Sequence, residues 1–108
     1  MSTRGAIGIQ LDNNHLMYTW IGHDADLVGD TLKKVITKRQ DRIELVRGGE
    51  ICSLYENGTV DYYDDSHDCW PQYIEGEDCI DQFIEDMNDD VFCESYYVID
   101  KDNKLRCY

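Results

Sequence analysis

The sequence predicts an α+β domain: a mostly antiparallel sheet of about six short strands, covered on one side by two to three helices. Three observations predict it. Short β-branched and aromatic runs separated by turn residues occur near both ends and in the middle of the chain. Two longer stretches repeat their apolar residues at helical spacing. The order of these signals, ββαα-ββ-α-ββ, favours local hairpins with helices laid against one face of the sheet.

Arg4 to Leu11 reads as the first strand, with the apolar run Ala6-Ile7-Gly8-Ile9 at its centre. Asp12-Asn13-Asn14 supplies turn residues that tolerate left-handed backbone, and His15 to Ile21 returns as a second strand. Gly22-His23-Asp24 then breaks the pattern. Asp24 is placed to cap a helix in which Leu27, Val28, Leu32, Val35 and Ile36 recur at helical spacing, with Lys33, Lys34, Lys38 and Arg39 toward its C-terminal end. A shorter helix is expected from Asp41 to Arg47, stopped by Gly48-Gly49. Ile51 to Tyr55 and Thr59 to Tyr63 form a hairpin around Asn57-Gly58. Asp64 to Gly76 reads as a polar loop. In the third helix, Glu77 to Asn88, Ile80, Phe83, Ile84 and Met87 share one face. Ser95 to Asp100 and Leu105 to Tyr108 are the last strands, joined by Lys101-Asp102-Asn103-Lys104.

A length of 108 residues suits one domain, residues 1–108. No apolar run nears the roughly 20 residues of a membrane helix, and the N-terminus lacks a secretory signal. A cytoplasmic protein is therefore expected. The five cysteines, an odd number with no C-x-x-C pair, fit reduced thiols.

Charge is the most informative global property. The formal net charge is -13. Residues 1–49 carry seven Lys/Arg and six Asp/Glu, whereas residues 50–108 carry three and seventeen. Such a field repels nucleic acid and anionic membranes, and attracts a protein with a basic groove. The densest carboxylates are Asp61, Asp64, Asp65, Asp68, Asp78, Asp81, Glu85, Asp86, Asp89 and Asp90, in a stretch without Lys or Arg. They are the candidate protein-binding face, built from the loop Asp61 to Asp68 and the helix Glu77 to Asp90. The competing reading is a face that only keeps the protein soluble.

Local chemistry gives weaker signals. His67, Cys69, Cys79 and Cys93 lack the close-spaced ligand pairs of a zinc site. Asp61, Asp64, Asp65 and Asp68, like the EF-hand-like start Asp100-Lys101-Asp102-Asn103, read better as surface and turn residues than as a calcium loop. Cys52, Cys69 or Cys107 with His15, His23 or His67 offers a thiol and an imidazole but no local signature of a catalytic pair. No catalytic residue, metal or cofactor is therefore assigned, and the expectation is a protein that is not an enzyme. A different class of function is a small-molecule or nucleotide-signal site lined by Tyr18, Trp20, Tyr62 and Trp70. There Arg4 or the basic region from Lys33 to Arg47 would meet an anion.

The opening Met1-Ser2-Thr3-Arg4-Gly5-Ala6-Ile7-Gly8 resembles a group of small phage and prophage proteins that begin M-[SG]-T-R-x-x-I. Their hairpin carries a Y-x-H/W-x-D-like segment, here Tyr18 to Asp24. A helix, a G-[DE]-I-[SC]-S-L segment and an aromatic C-terminal hairpin follow, here Gly49 to Leu54 and Tyr96 to Tyr108. The common D-G-Y-P run is replaced by Asp24-Ala25-Asp26-Leu27. The resemblance implies a phage origin and no particular chemistry. For an acidic protein of that origin, the expected role is inhibition of a host defence protein that handles nucleic acid, a CRISPR effector or a restriction system. The acidic face would imitate DNA or RNA, as in an anti-CRISPR protein.

Overall fold

The first hairpin forms the centre of the sheet. β1 (Gly5–Asp12) pairs antiparallel with β2 (His15–Ile21), from Gly5 opposite Ile21 to Asp12 opposite His15, with a register shift between Gln10 and Asp12. The computed structural model describes residues 3–63 and 70–108. Within them, α1 (Ala25–Lys34) and α2 (Arg39–Arg47) lead to β3 (Ile51–Leu54) and β4 (Val60–Tyr62). β5 (Gln72–Glu75), α3 (Cys79–Asp89), β6 (Ser95–Ile99) and β7 (Leu105–Cys107) complete the order.

The sheet has seven strands and is mixed. Its path runs β4-β3-β2-β1-β6-β7, with β5 added on β2. The β1–β6 and β2–β3 pairs are parallel and the other four pairs antiparallel. Thus the α+β class and the mostly antiparallel pairing agree with expectation, while the sheet is larger than about six strands. The added strand is β5, which lies in the segment expected to be loop. It pairs with β2 from His15 opposite Glu75 to Tyr18 opposite Gln72. Three of its four residues are exposed, so its alternation is barely marked.

Helices cover both faces, not one. Ile7, Ile9, Met17 and Ile21 pack with Ala25, Val28 and Leu32 of α1 and Leu45 and Val46 of α2. On the opposite face Ala6, Leu16, Tyr96 and Val98 pack with Cys79, Phe83 and Met87 of α3. The physical reason lies in the central strands. Residues 96–99 of β6 and residues 5–10 of β1 are buried without alternation, which requires cover on both sides. Gly8 belongs to this packing, because a Cβ there would sit 3.0 Å from carbons of the Phe83 ring.

Arg42 of α2 is buried at 5% exposure. Its guanidinium donates to Leu32 O (2.7 Å), Ile36 O (2.9 Å), Asn103 O (3.0 Å) and Asn103 Oδ1 (3.1 Å). It thereby fills carbonyls at and beyond the end of α1 and ties them to the β6–β7 turn. At the start of α1, Asp24 does occupy the capping position, but with left-handed backbone (φ 54°) and no side-chain capping bond. The sequence expectation of a conventional N-cap is corrected there. Among the described residues, no helix is long and apolar enough to cross a membrane.

Candidate functional site

α3 is built as its periodicity dictates. Phe83 and Met87 are buried, Ile80 and Ile84 half-buried, and all four pack on the sheet. Asp81, Glu85, Asp86 and Asp89 are exposed, as is Asp78 just before the helix, while Asp90 at its C-cap is half-buried. Gln82 Nε2 donates to Asp86 Oδ1 at 2.9 Å, and the Phe92 amide donates to Asp90 Oδ1 at 2.8 Å. Among the described residues the ion pairs are His15–Asp12 and Arg106–Asp100, so none of these carboxylates is paired with a cation. The last turn of α3 carries no basic residue.

The other expected members of the acidic face stand elsewhere. Asp61 lies on β4, the end strand of the sheet path, and accepts a 2.7 Å hydrogen bond from the Tyr55 hydroxyl. α3 lies against β1, β2 and β5. Asp64, Asp65 and Asp68 fall outside the described residues, as do His67 and Cys69.

A cleft of about 410 Å³ opens at the C-terminal end of α3. Arg4, Trp20, Glu50, Tyr63, Asp90 and Phe92 are among its walls. The sheet creates it. The outer edge of β2 pairs with β5 only as far as Tyr18 and with β3 only at Ile21, and Trp20 lies in the interval, packed against the core on the α3 side. Tyr63 follows β4 and is held by its amide on Glu50 O (3.1 Å). Gly22 makes room for the ring, since a Cβ there would overlap the Tyr63 hydroxyl. Burial raises the Tyr63 pKa, with Cys52 and Glu50 adding to the rise. Arg4 Cζ lies 6.0 Å from the centroid of the Phe92 ring. This cleft joins residues scattered from 4 to 92, and no local motif in the sequence marks it.

The structure also brings His23 and Cys52 together. His23 Nδ1 is 3.0 Å from Cys52 O and 3.6 Å from Cys52 Sγ. A carbonyl oxygen only accepts, so Nδ1 carries a proton and is not free to take one from the thiol. The contact therefore lacks the geometry of a general base on its nucleophile. His15 instead hydrogen-bonds exposed Asp12 at 2.8 Å, and Cys107 is exposed on β7. Cys79 opens α3, whereas Cys93 lies three residues past its C-cap, in the segment before β6. Burial, followed by the charge of Asp90, pushes the Cys93 thiol up to about 11. Among the described residues no three metal-ligating side chains gather. In the Asp100–Asn103 segment, Asp100 Oδ1 accepts the amides of Asp102 (2.9 Å) and Lys104 (3.0 Å), which organises the turn.

Of the four aromatics expected around a small molecule, Tyr18 and Trp20 meet edge to face at 6.0 Å between centroids, and Tyr62 and Trp70 stand apart from them. Tyr18 packs on Phe83 at 5.2 Å between centroids, Tyr62 donates to Leu45 O at 2.7 Å, and Trp70 is 75% exposed. Only Trp20 lines the cleft, although Arg4 accompanies it there. No protein family, curated protein or solved structure matches the chain.

Proposed function

We propose that this is a phage-type accessory protein that acts by non-catalytic binding, presenting α3 as an acidic face to a basic groove on a host protein. The observation that carries the reading is the outward side of α3. Asp81, Glu85, Asp86 and Asp89 are exposed along one helix, and none meets a cation among the described residues. Positions 81, 85 and 89 recur one helical turn apart, roughly 6 Å along the axis. A rigid row of carboxylates imitates the charge of a nucleic-acid backbone, and the net charge of -13 steers it toward basic surfaces. The helix spends its other side on the core, so its outward charges are held in place by Phe83 and Met87. The finer identification, a host defence protein such as a CRISPR effector or restriction enzyme, comes from the resemblance of the N-terminal segment to phage proteins. Capture from host lysate at low salt, repeated at high salt and with Asp81→Lys/Glu85→Lys, tests it. A basic partner lost in the double variant is expected. A folded double variant that captures the same protein with the same salt dependence refutes the reading.

A second reading is favoured by one observation, the presence of Trp20 and Arg4 in one cleft. There an anionic small molecule would stack on the indole and pair with the guanidinium, against the opposing charge of Glu50 and Asp90 in the same walls. Cyclic nucleotides that leave the thermal transition unmoved would count against it.

A further inference from the structure

We infer that the cleft at the end of α3 is a binding site for an organic cation, a guanidinium or alkylammonium group. Three features of the walls select that chemistry. First, Trp20, Tyr63 and Phe92 supply three aromatic rings, whose faces attract cations. Second, Glu50 and Asp90 bring two carboxylates, neither in an ion pair among the described residues. Third, α3 ends here. Its C-cap residue is Asp90, and its last turn has no basic residue to meet the negative end of the helix dipole.

Arg4 is the opposing charge and also a clue. Its guanidinium already lies over Phe92, at 6.0 Å from the centroid, so the ring has the exposure and position to receive such a group. One guanidinium against two carboxylates leaves the cleft with a net negative formal charge. Arg4 thus occupies part of the field that an incoming cation would use, and competes with it. An anionic ligand would need Arg4 and would be repelled by Glu50 and Asp90. The inference is independent of the acidic face of α3, because that face can bind a basic groove with the cleft empty, and the reverse.

The same chemistry is offered by a free metabolite and by an arginine or lysine side chain of a polypeptide. Two probes distinguish them: Nα-acetylarginine amide, and a glycine-flanked arginine pentapeptide with blocked ends. Each is titrated by calorimetry into the full chain, with the Trp indole NMR signals followed in parallel. The isosteric, uncharged citrulline forms are the controls. Binding of the arginine forms alone, with a shifted Trp20 signal, is expected. Tighter binding of the amide assigns a small-molecule cation, and equal or tighter binding of the peptide assigns a side chain. Phe92→Ala should weaken binding roughly three- to tenfold, since the ring lies outside the core. Asp90→Asn, which retains an oxygen for the Phe92 amide, should weaken it about threefold, and Arg4→Gln should strengthen it by a similar factor. Circular dichroism verifies that each variant is folded. Failure of both arginine probes, equal binding of the citrulline forms, or weaker binding by Arg4→Gln overturns the inference. Capture of a basic partner through α3 is unaffected by any of these results.

Discussion

Replacing Arg42 with methionine should cost the fold about 3 kcal/mol, although among the described residues no carboxylate partners this arginine. The side chains have comparable length, so the change isolates the guanidinium. In the native protein that group makes four hydrogen bonds, two of them to Leu32 O and Ile36 O at and beyond the end of α1. Each buried carbonyl left without a donor costs about 1–3 kcal/mol. Two such losses give about 2–6 kcal/mol, and relief of the desolvated charge together with burial of an apolar chain brings the value toward the lower part. For a domain of this size a change of that magnitude lowers Tm by roughly 12–24 °C. Urea unfolding followed by far-UV circular dichroism measures it, with the midpoint falling and the slope unchanged. Arg42→Lys should recover only part of the loss, because one ammonium cannot span carbonyls on three segments. A loss below about 1 kcal/mol for the methionine variant would refute the account, and would mean that water replaces the guanidinium at these carbonyls.

Asp24→Gly should stabilise the protein by roughly 0.5–1 kcal/mol, because a left-handed residue without a capping bond gains from losing its Cβ; chemical denaturation reads the difference. In an NMR titration, His15 should ionise above its ordinary range because of its bond to Asp12, and Asp12 below its range because of the Asn14 amide and then His15. The imidazolium contribution is complete below the ordinary histidine pKa and is lost as pH rises through the raised value. The carboxylate contribution is present above the ordinary aspartate pKa and is lost as pH falls through the lowered one. His15→Asn should return Asp12 part of the way and leave the share due to the Asn14 amide. Under alkylation at pH 8 with peptide mapping, exposed Cys107 should react well before Cys93, whose thiol is pushed up to about 11, and before buried Cys79. Equal rates would contradict the burial of Cys79 and the raised pKa of half-buried Cys93.

Local pattern carried much of this fold. β2 spans His15–Ile21 as its aromatic and β-branched run predicts, and the stripe Ile80-Phe83-Ile84-Met87 orients α3. The unbroken burial of residues 96–99 is also written in the sequence, as Tyr-Tyr-Val-Ile: β6 forms the expected hairpin with β7, and it also pairs with β1 and is covered on both faces. β5 escaped because four residues after Pro71, three of them exposed, hold too little alternation to register. The acidic side of α3 was legible from composition. The cleft was not, since Arg4, Trp20, Glu50, Tyr63, Asp90 and Phe92 meet only through the long-range pairing of β1 with β6 and of β2 with β3. Arg42 gave no signal at all, because three of its four acceptors are backbone oxygens, which any sequence possesses.

The divided edge of β2 has a mechanical consequence. β3 joins the sheet through one residue pair, Ile21 with Ile51, and the neighbouring bond from the Gly22 amide to Ile51 O at 2.8 Å. The β3–β4 ribbon is otherwise fastened by the side chains of Ile51, Leu54 and Val60 in the core, by the Tyr62 hydroxyl on Leu45 O and by His23 Nδ1 on Cys52 O. It is a leaf on a narrow hinge, whereas β1 is laced along its length to β2 and β6. Amide hydrogens within the ribbon should exchange by an opening that leaves β1, β2 and β6 protected. Tyr63 rides at the margin of that leaf and Phe92 on the fixed body, so the distance across the cleft can breathe without any strand at the centre letting go.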